Sequence, residues 1–212
     1  VVAGVGSNDT RHAVELTEQA TAAGADALLS VTPYYVKPNR RGLIAHFTAV
    51  AAATDRPIIL YNIPGRTGLD MPNDLCAELA QIDGIEAIKQ ARDTDVALID
   101  GLDLYAGNDD MLADVLDLGG AGGILVASHL VGDQMRAMVD EPARRREIDA
   151  SLQDVYEALS VTVNPIPVKA ALNLCGLPAG GLRLPLVEAD EAELDVVRSM
   201  LERHGLLEAA AA

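Results

Sequence analysis

The chain contains no tryptophan, one phenylalanine and only two cysteines, and its 16 Lys and Arg stand against 32 Asp and Glu in 212 residues. The shortage of positive charge leaves a net charge of −16. That charge repels phosphate backbones and anionic lipid surfaces, so neither nucleic acid nor a membrane is an expected partner. Cys76 and Cys175 lie in apolar, helix-like patterns without CxxC spacing, so no disulfide and no thiol chemistry is expected, and a cytoplasmic location suits reduced thiols. No apolar run approaches the roughly 18 residues that cross a bilayer. The start shows neither a basic leader nor a cleavage site, and it lacks an initiator methionine, so the chain is expected to begin in mid-domain. A nucleotide-binding glycine fingerprint is missing too: Gly4-Val5-Gly6-Ser7-Asn8-Asp9 does not complete GxGxxG, and Gly119 to Gly123 precedes an expected strand rather than opening a helix. His12, His46, His129 and His204 share no ligand spacing, so no metal site is read.

What is present is 50% hydrophobic, enough for one large core and one or two domains. Short apolar runs alternate with helical patterns at intervals of about 20 to 30 residues, the rhythm of a parallel α/β domain. Strands are expected at Val1 to Val5, Ala27 to Val31, Pro57 to Tyr61, Ile85 to Lys89, Leu102 to Ala106 and Ile124 to Ala127. Helices are expected from a cap among Asn8, Asp9 and Thr10 as far as Gly24, over Gly42 to Ala53, from Pro72 through Leu79, briefly near Val96 to Ile99, and up to Leu118. Beyond about residue 130 only helical periodicity continues, near Met135 to Val139, Ala143 to Leu159, Val168 to Leu174 and Ala192 to Arg203, with Leu206 to Ala212 read as a frayed end. The expected division is therefore an α/β domain over 1–130 and a helical region over 131–212.

Two architectures fit six parallel strands: a doubly wound open sheet, or a (β/α)8 barrel lacking its first two βα units. Polar and aromatic residues collect after several different strands: Tyr34 and Tyr35, Tyr61 and Arg66, Lys89, Asn108 and Asp109. Contributions from many strand ends to one mouth favour the barrel. With five tyrosines supplying nearly all the aromatic residues, three of them at expected strand ends exceed background. Lys89 closes an apolar strand. A lysine held among apolar neighbours loses hydration of its charged form, so a neutral amine becomes available to attack a carbonyl and form a Schiff base. On its strand alone, Lys89 reads more readily as a lysine that snorkels from a strand end or pairs with an acid. Tyr34 and Tyr35 also suit a subunit contact, Tyr61 a barrel closure, and Arg66 an ion pair with Asp70. Asp109 and Asp110 read as a turn or cap, and Arg144-Arg145-Arg146 as a solvated helix face.

Thr32-Pro33-Tyr34-Tyr35, Tyr61-Asn62-Ile63-Pro64-Gly65-Arg66-Thr67-Gly68, Ile88-Lys89 and Asn164-Pro165-Ile166-Pro167-Val168-Lys169 together resemble the family of pyruvate-dependent class I aldolases that holds dihydrodipicolinate synthases and N-acetylneuraminate lyases, over essentially the whole chain. Arg66 places the resemblance with the synthase branch. The resemblance implies a (β/α)8 TIM barrel, here with strands three to eight, followed by a helical region, in a dimer of tight dimers. It implies condensation of pyruvate with aspartate-4-semialdehyde in lysine and diaminopimelate biosynthesis, without a cofactor because the imine forms on Lys89. By position, Tyr61 corresponds to the phenol that shuttles protons, Arg66 to the clamp on the semialdehyde carboxylate, and Tyr35 to the tyrosine that enters the neighbouring subunit's site. Gly107 and Ile124 correspond to residues lining the pyruvate pocket. Asn8 and Tyr34 match an interface site for inhibitory lysine, where His12 replaces the glutamate of sensitive forms. The family's Gly-Thr-Thr-Gly-Glu loop is absent, so an inactive shortened chain is a rival expectation, as is an aldolase for another acceptor.

Overall fold

Asp9 accepts a hydrogen bond from the His12 backbone N–H at 2.8 Å and so starts the first helix, satisfying one of the donors that a helix N-terminus leaves open. Asn39 repeats the device on the Gly42 N–H at 3.0 Å before the second helix. These caps divide the chain into the βα units of a parallel sheet. The computed structural model describes residues 1–207; the expected frayed end over Leu206 to Ala212 lies mostly outside the described residues. The elements run β1 (Val2–Gly4), α1 (Thr10–Ala22), β2 (Ala27–Val31), α2 (Arg40–Ala51), β3 (Ile58–Asn62), α3 (Pro64–Thr67), α4 (Asn73–Leu79), β4 (Ile85–Gln90), β5 (Asp103–Ala106), a 3-10 turn (Asp109–Met111), α5 (Leu112–Leu118) and β6 (Gly122–Gly123). Five further helices follow: α6 (Ser128–Asp140), α7 (Arg145–Ser151), α8 (Gln153–Leu159), α9 (Ile166–Leu174) and α10 (Glu191–Arg203).

The six strands form one sheet in the order β1-β2-β3-β4-β5-β6, and every neighbouring pair is parallel. A doubly wound sheet reverses its strand order at a switch point; this one does not, so every crossover steps in the same direction. The sheet also has two distinct faces. Ser30, Leu60, Ile88 and Leu104 lie side by side in register on one face and are all buried. The opposite face carries Val31, Tyr61, Lys89 and Tyr105 in the next register row, and all four are half-exposed.

Two expected elements are not formed. The sixth strand is Gly122–Gly123 rather than Ile124 to Ala127. It reaches β5 through a tight passage at Gly120, where a Cβ would stand 2.5 Å from the Val115 side chain and 2.9 Å from the Leu104 carbonyl, so glycine itself enters the ladder and the apolar residues after it leave. No helix forms at Val96 to Ile99, where an antiparallel bridge pairs Ile99 with Leu102. The Leu102 N–H donates to the Ile99 carbonyl at 3.0 Å across a turn at Gly101, whose φ is +85, so the chain reverses there instead of continuing as a helix.

The chain divides into two compact units, the first Val1–Ile124 and the second beginning at Leu125. In the second unit Met138, Leu152, Val155, Val197 and Met200 are buried. A reciprocal capping box between Asp190 and Glu193 starts α10, and Asp154 on α8 receives Arg203 at 2.9 Å and His204 at 2.8 Å from its far end. Arg145 departs from the expected solvated face: it is buried, and its Nε donates to the Met138 carbonyl at 3.0 Å. Among the described residues no helix is long and apolar enough to cross a membrane.

Phe47, the one phenylalanine, is fully buried on α2 with its ring edge against His46 at 5.1 Å between centroids. Phe47→Ala is expected to cost about 3 to 5 kcal/mol of stability through lost burial and the cavity left behind. Urea denaturation checks it; a cost below about 1 kcal/mol would show that this core collapses around the gap.

Candidate active site

Parallel register alone brings Tyr61 and Lys89 together. Between Ile58 and Ile59 the β3–β4 pairing shifts: Ile58 aligns with Ile85 but Ile59 with Ala87, so Glu86 is an extra residue in β4. Beyond this bulge Tyr61 lies opposite Lys89 and Asn62 opposite Gln90. Without it, Asn62 would pair with Lys89 and the lysine would lie on the buried face, because a one-residue slip exchanges the two faces of a strand. The Lys89 Nζ stands 4.2 Å from the centroid of the Tyr61 ring.

The surroundings set the protonation of both groups. Burial pushes the Lys89 amine below its ordinary range; Asp109 opposes this shift, and Arg66 adds to it. Burial pushes the Tyr61 phenol upward, partly offset by the Arg66 guanidinium. An amine that sheds its proton more readily thus lies beside a phenol that keeps its own, which suits nucleophilic attack on a carbonyl with a proton donor at hand. The Tyr61 strand end is further fixed by Thr32, which is fully buried and donates to the Tyr61 carbonyl from both its backbone N–H at 2.9 Å and its hydroxyl at 3.0 Å.

The remaining candidates share the carboxyl edge of the sheet. Arg66 lies on α3, directly after β3, and is exposed. The Tyr35 N–H donates to the Thr67 carbonyl at 3.2 Å, tying the loop after β2 to that same short helix. Tyr35 has φ +70, unusual for a residue with a Cβ, and its side chain is 86% exposed. Gly107 directly follows β5, and the Ile124 N–H donates to the Ala106 carbonyl at 2.9 Å, so these two positions are neighbours just past the ends of β5 and β6. Asn8 and His12 flank the cap of α1, with His12 Nδ1 3.5 Å from Glu15 Oε2, whereas exposed Tyr34 lies on the loop after β2. Asp70, the partner that the alternative reading gives Arg66, accepts from Arg92 at 3.0 Å and from Asn62 at 2.8 Å. Asp109 and Asp110 open the 3-10 turn after Asn108. Among the described residues no group of three or more His, Cys, Asp or Glu side chains is placed to hold a metal ion.

Sequence reasoning passed over three participants. Tyr105 pairs with Lys89 on the side away from Tyr61, which only the register reveals. Thr32 was visible as a strand-end residue but not as a clamp. The third, Arg92, follows Lys89 by three positions and is 7% exposed; a cation so close to a candidate nucleophile was a signal available in the sequence.

A model of the dihydrodipicolinate synthetase family matches residues 1–204. The 4-hydroxy-tetrahydrodipicolinate synthase of Thermoanaerobacter sp. (strain X514) is 41% identical over 223 residues, covering 99% of this chain and 75% of that protein. The synthase of Heliobacterium modesticaldum is 44% identical over 221 residues, covering 97% and 73%. Among solved structures, the lysine-bound dihydrodipicolinate synthase of Cyanidioschyzon merolae matches with a TM-score of 0.91 at 38% identity, covering 98% of this chain and 74% of that one.

At Gly107 a Cβ would meet the Ala91 Cβ at 2.7 Å and the Gln90 carbonyl oxygen at 2.8 Å, and neither can move without the backbone beside Lys89. Gly107→Ala is expected to destabilise the protein by about 1 to 3 kcal/mol. Thermal melting checks it; an unchanged melting temperature would show that the β4 and β5 ends part freely.

Proposed function

The chain belongs to the dihydrodipicolinate synthetase family, and from that premise we infer that it has 4-hydroxy-tetrahydrodipicolinate synthase activity, condensing pyruvate with L-aspartate-4-semialdehyde in lysine and diaminopimelate biosynthesis. The observation that carries the chemistry is the seat of the Lys89 amine over the Tyr61 ring at 4.2 Å. The neutral amine attacks the ketone carbon of pyruvate, the Tyr61 phenol passes a proton to the departing hydroxyl, and water leaves as the imine forms. The protonated imine draws electrons from the adjacent methyl, which loses a proton to give an enamine. The enamine carbon adds to the aldehyde. The semialdehyde's own amine then displaces Lys89 at the imine carbon, which closes the ring and restores the free amine. The imine is itself the electron sink, so this sequence needs no cofactor.

Arg66 supplies the clamp for the semialdehyde carboxylate, since a guanidinium fork matches a carboxylate in a way that a lysine does not. Gly107 and Ile124 wall the pyruvate pocket. The singly wound strand order supports a (β/α)8-type barrel, whose sites lie at the carboxyl ends of the strands. Tyr35 acts in a neighbouring copy. Its exposure, together with 41% at Tyr34 and 55% at Val36, supports burial of this loop in a tight dimer, two of which form a tetramer. Lysine inhibition through Asn8 and Tyr34 is weak, because His12 lacks the carboxylate that would pair with an ammonium. Two unpaired thiols suit a cytoplasmic location. A sugar-acid aldolase reading gains no support from a cation such as Arg66 next to the site.

Incubation with pyruvate and borohydride is expected to leave a reduced adduct on Lys89 and none on Lys37 or Lys169. The trapping rate should rise with pH and level off below the range of an ordinary lysine, because burial lowers the Lys89 pKa and the neutral amine is the reacting form. Peptide mapping decides the point; an adduct elsewhere, or none, would remove the imine mechanism. Arg66→Ala is expected to lower kcat/KM for the semialdehyde by about 100-fold, as loss of a charge-assisted pair implies, while trapping with pyruvate alone changes little. Semialdehyde turnover that survived this change would favour a different acceptor.

A further inference from the structure

Asn62 follows Tyr61 directly and is fully buried; its side-chain amide donates to Asp70 Oδ1 at 2.8 Å and to the Met71 carbonyl at 3.2 Å, and its oxygen accepts from the Met71 N–H at 3.1 Å. Arg92, three residues past Lys89, sends Nη1 to Asp70 Oδ2 at 3.0 Å and Nη2 to Asn73 Oδ1 and the Asp95 carbonyl, both at 2.5 Å. Asp70 thereby offers one oxygen to the residue after Tyr61 and the other to the chain after Lys89. The Ala91 N–H also donates to the Asn62 carbonyl at 2.9 Å, so the polar network continues the β3–β4 ladder past its last paired residues.

A buried ion pair is poor evidence for stability, because desolvation of both charges offsets their attraction. A guanidinium that reaches three partners from one rigid fork does fix geometry, and lysine has no equivalent fork. We propose that Arg92 is a positioning residue for the imine chemistry: through Asp70, Asn73 and the Asp95 carbonyl it holds the chain leaving β4 against the chain leaving β3, and so keeps Lys89 seated over Tyr61. The proposal rests on the reading of Lys89 as the imine-forming lysine. The groups that face or act on Lys89 are Tyr61 on β3, Tyr105 on β5, Arg66 on α3 and Asp109 in the 3-10 turn. Arg92 works behind them, by keeping the two strand ends closed.

The test is pyruvate and borohydride trapping across a pH series in the wild type, Arg92→Met, Arg92→Lys, Asp70→Asn and the Arg92→Met/Asp70→Asn double variant, each with a melting curve to define the folded fraction. Both Arg92 variants are expected to trap roughly tenfold to 100-fold more slowly per folded molecule, as a small misplacement of reacting groups implies. Their pH midpoint should move upward as water reaches Lys89. Asp70→Asn should move both readings in the same direction, and the double variant should be little worse than either single one, because the pair acts as one unit. Failure of Arg92→Lys to restore the rate would assign the effect to the fork rather than to the charge. A merely structural role would lower the folded fraction while leaving the rate per folded molecule and the pH midpoint where they were, and that result overturns the proposal; should Arg92→Met not fold, the same result in Asp70→Asn overturns it. If the wild type forms no adduct, the Lys89 reading and this proposal fall together; a wild-type adduct with unaltered variants removes only the role of Arg92.

Discussion

The pairing of β3 with β4 after the Glu86 bulge is the constraint on which the rest of the site depends. It decides which face Lys89 occupies, and with that whether the lysine meets Tyr61 or is lost among buried apolar side chains. Strand β2 then fixes the Tyr61 carbonyl through Thr32, and β5 supplies the other wall through Tyr105. A bulge leaves one residue out of the ladder and shifts the side chains beyond it by one position. Here the extra residue, Glu86, is exposed, so the shift places no carboxylate in the core.

The same arrangement divides proton roles between two residues. Burial disfavours the charged form of each, which is the cation for Lys89 and the anion for Tyr61, so a single low-dielectric environment favours a neutral amine and a neutral phenol side by side. Asp109 and Arg66 act on Lys89 in opposite directions, and burial is the larger effect. Cys76, whose thiol donates to the Met71 carbonyl, shows the same physics: burial pushes it up to about 12, which keeps it protonated. In a chain of net charge −16, the Arg66 guanidinium acts on both groups, lowering the pKa of the Lys89 amine and of the Tyr61 phenol alike.

The βα rhythm was legible because apolar runs and caps are local. Asp9, Asn39 and Pro72 each open a helix where the sequence pattern places one. The errors arose where local signals were weak or overridden. Ile124 to Ala127 has strand composition, yet the ladder took Gly122–Gly123, because the close approach at Gly120 brings glycine backbone against β5. Val96 to Ile99 has helical composition, but it lies in a segment whose neighbours Arg92 and Asp95 are committed to a tertiary network. Arg145 read as solvated because burial of a cation depends on a distant carbonyl that no local pattern announces.

The sequence by itself determined the alternation of elements, the apolar strand that ends in Lys89, the tyrosine-rich strand ends and the family motif around Arg66, since each is carried by residue type over a short span. The tertiary structure alone decided the register. Residues 28 positions apart in the chain, Tyr61 and Lys89, become neighbours through one bulge in one strand. Asn62, Asp70 and Arg92 become a single network for the same reason: hydrogen bonds between loops depend on where strands end in space, and a linear pattern of polarity holds no record of that.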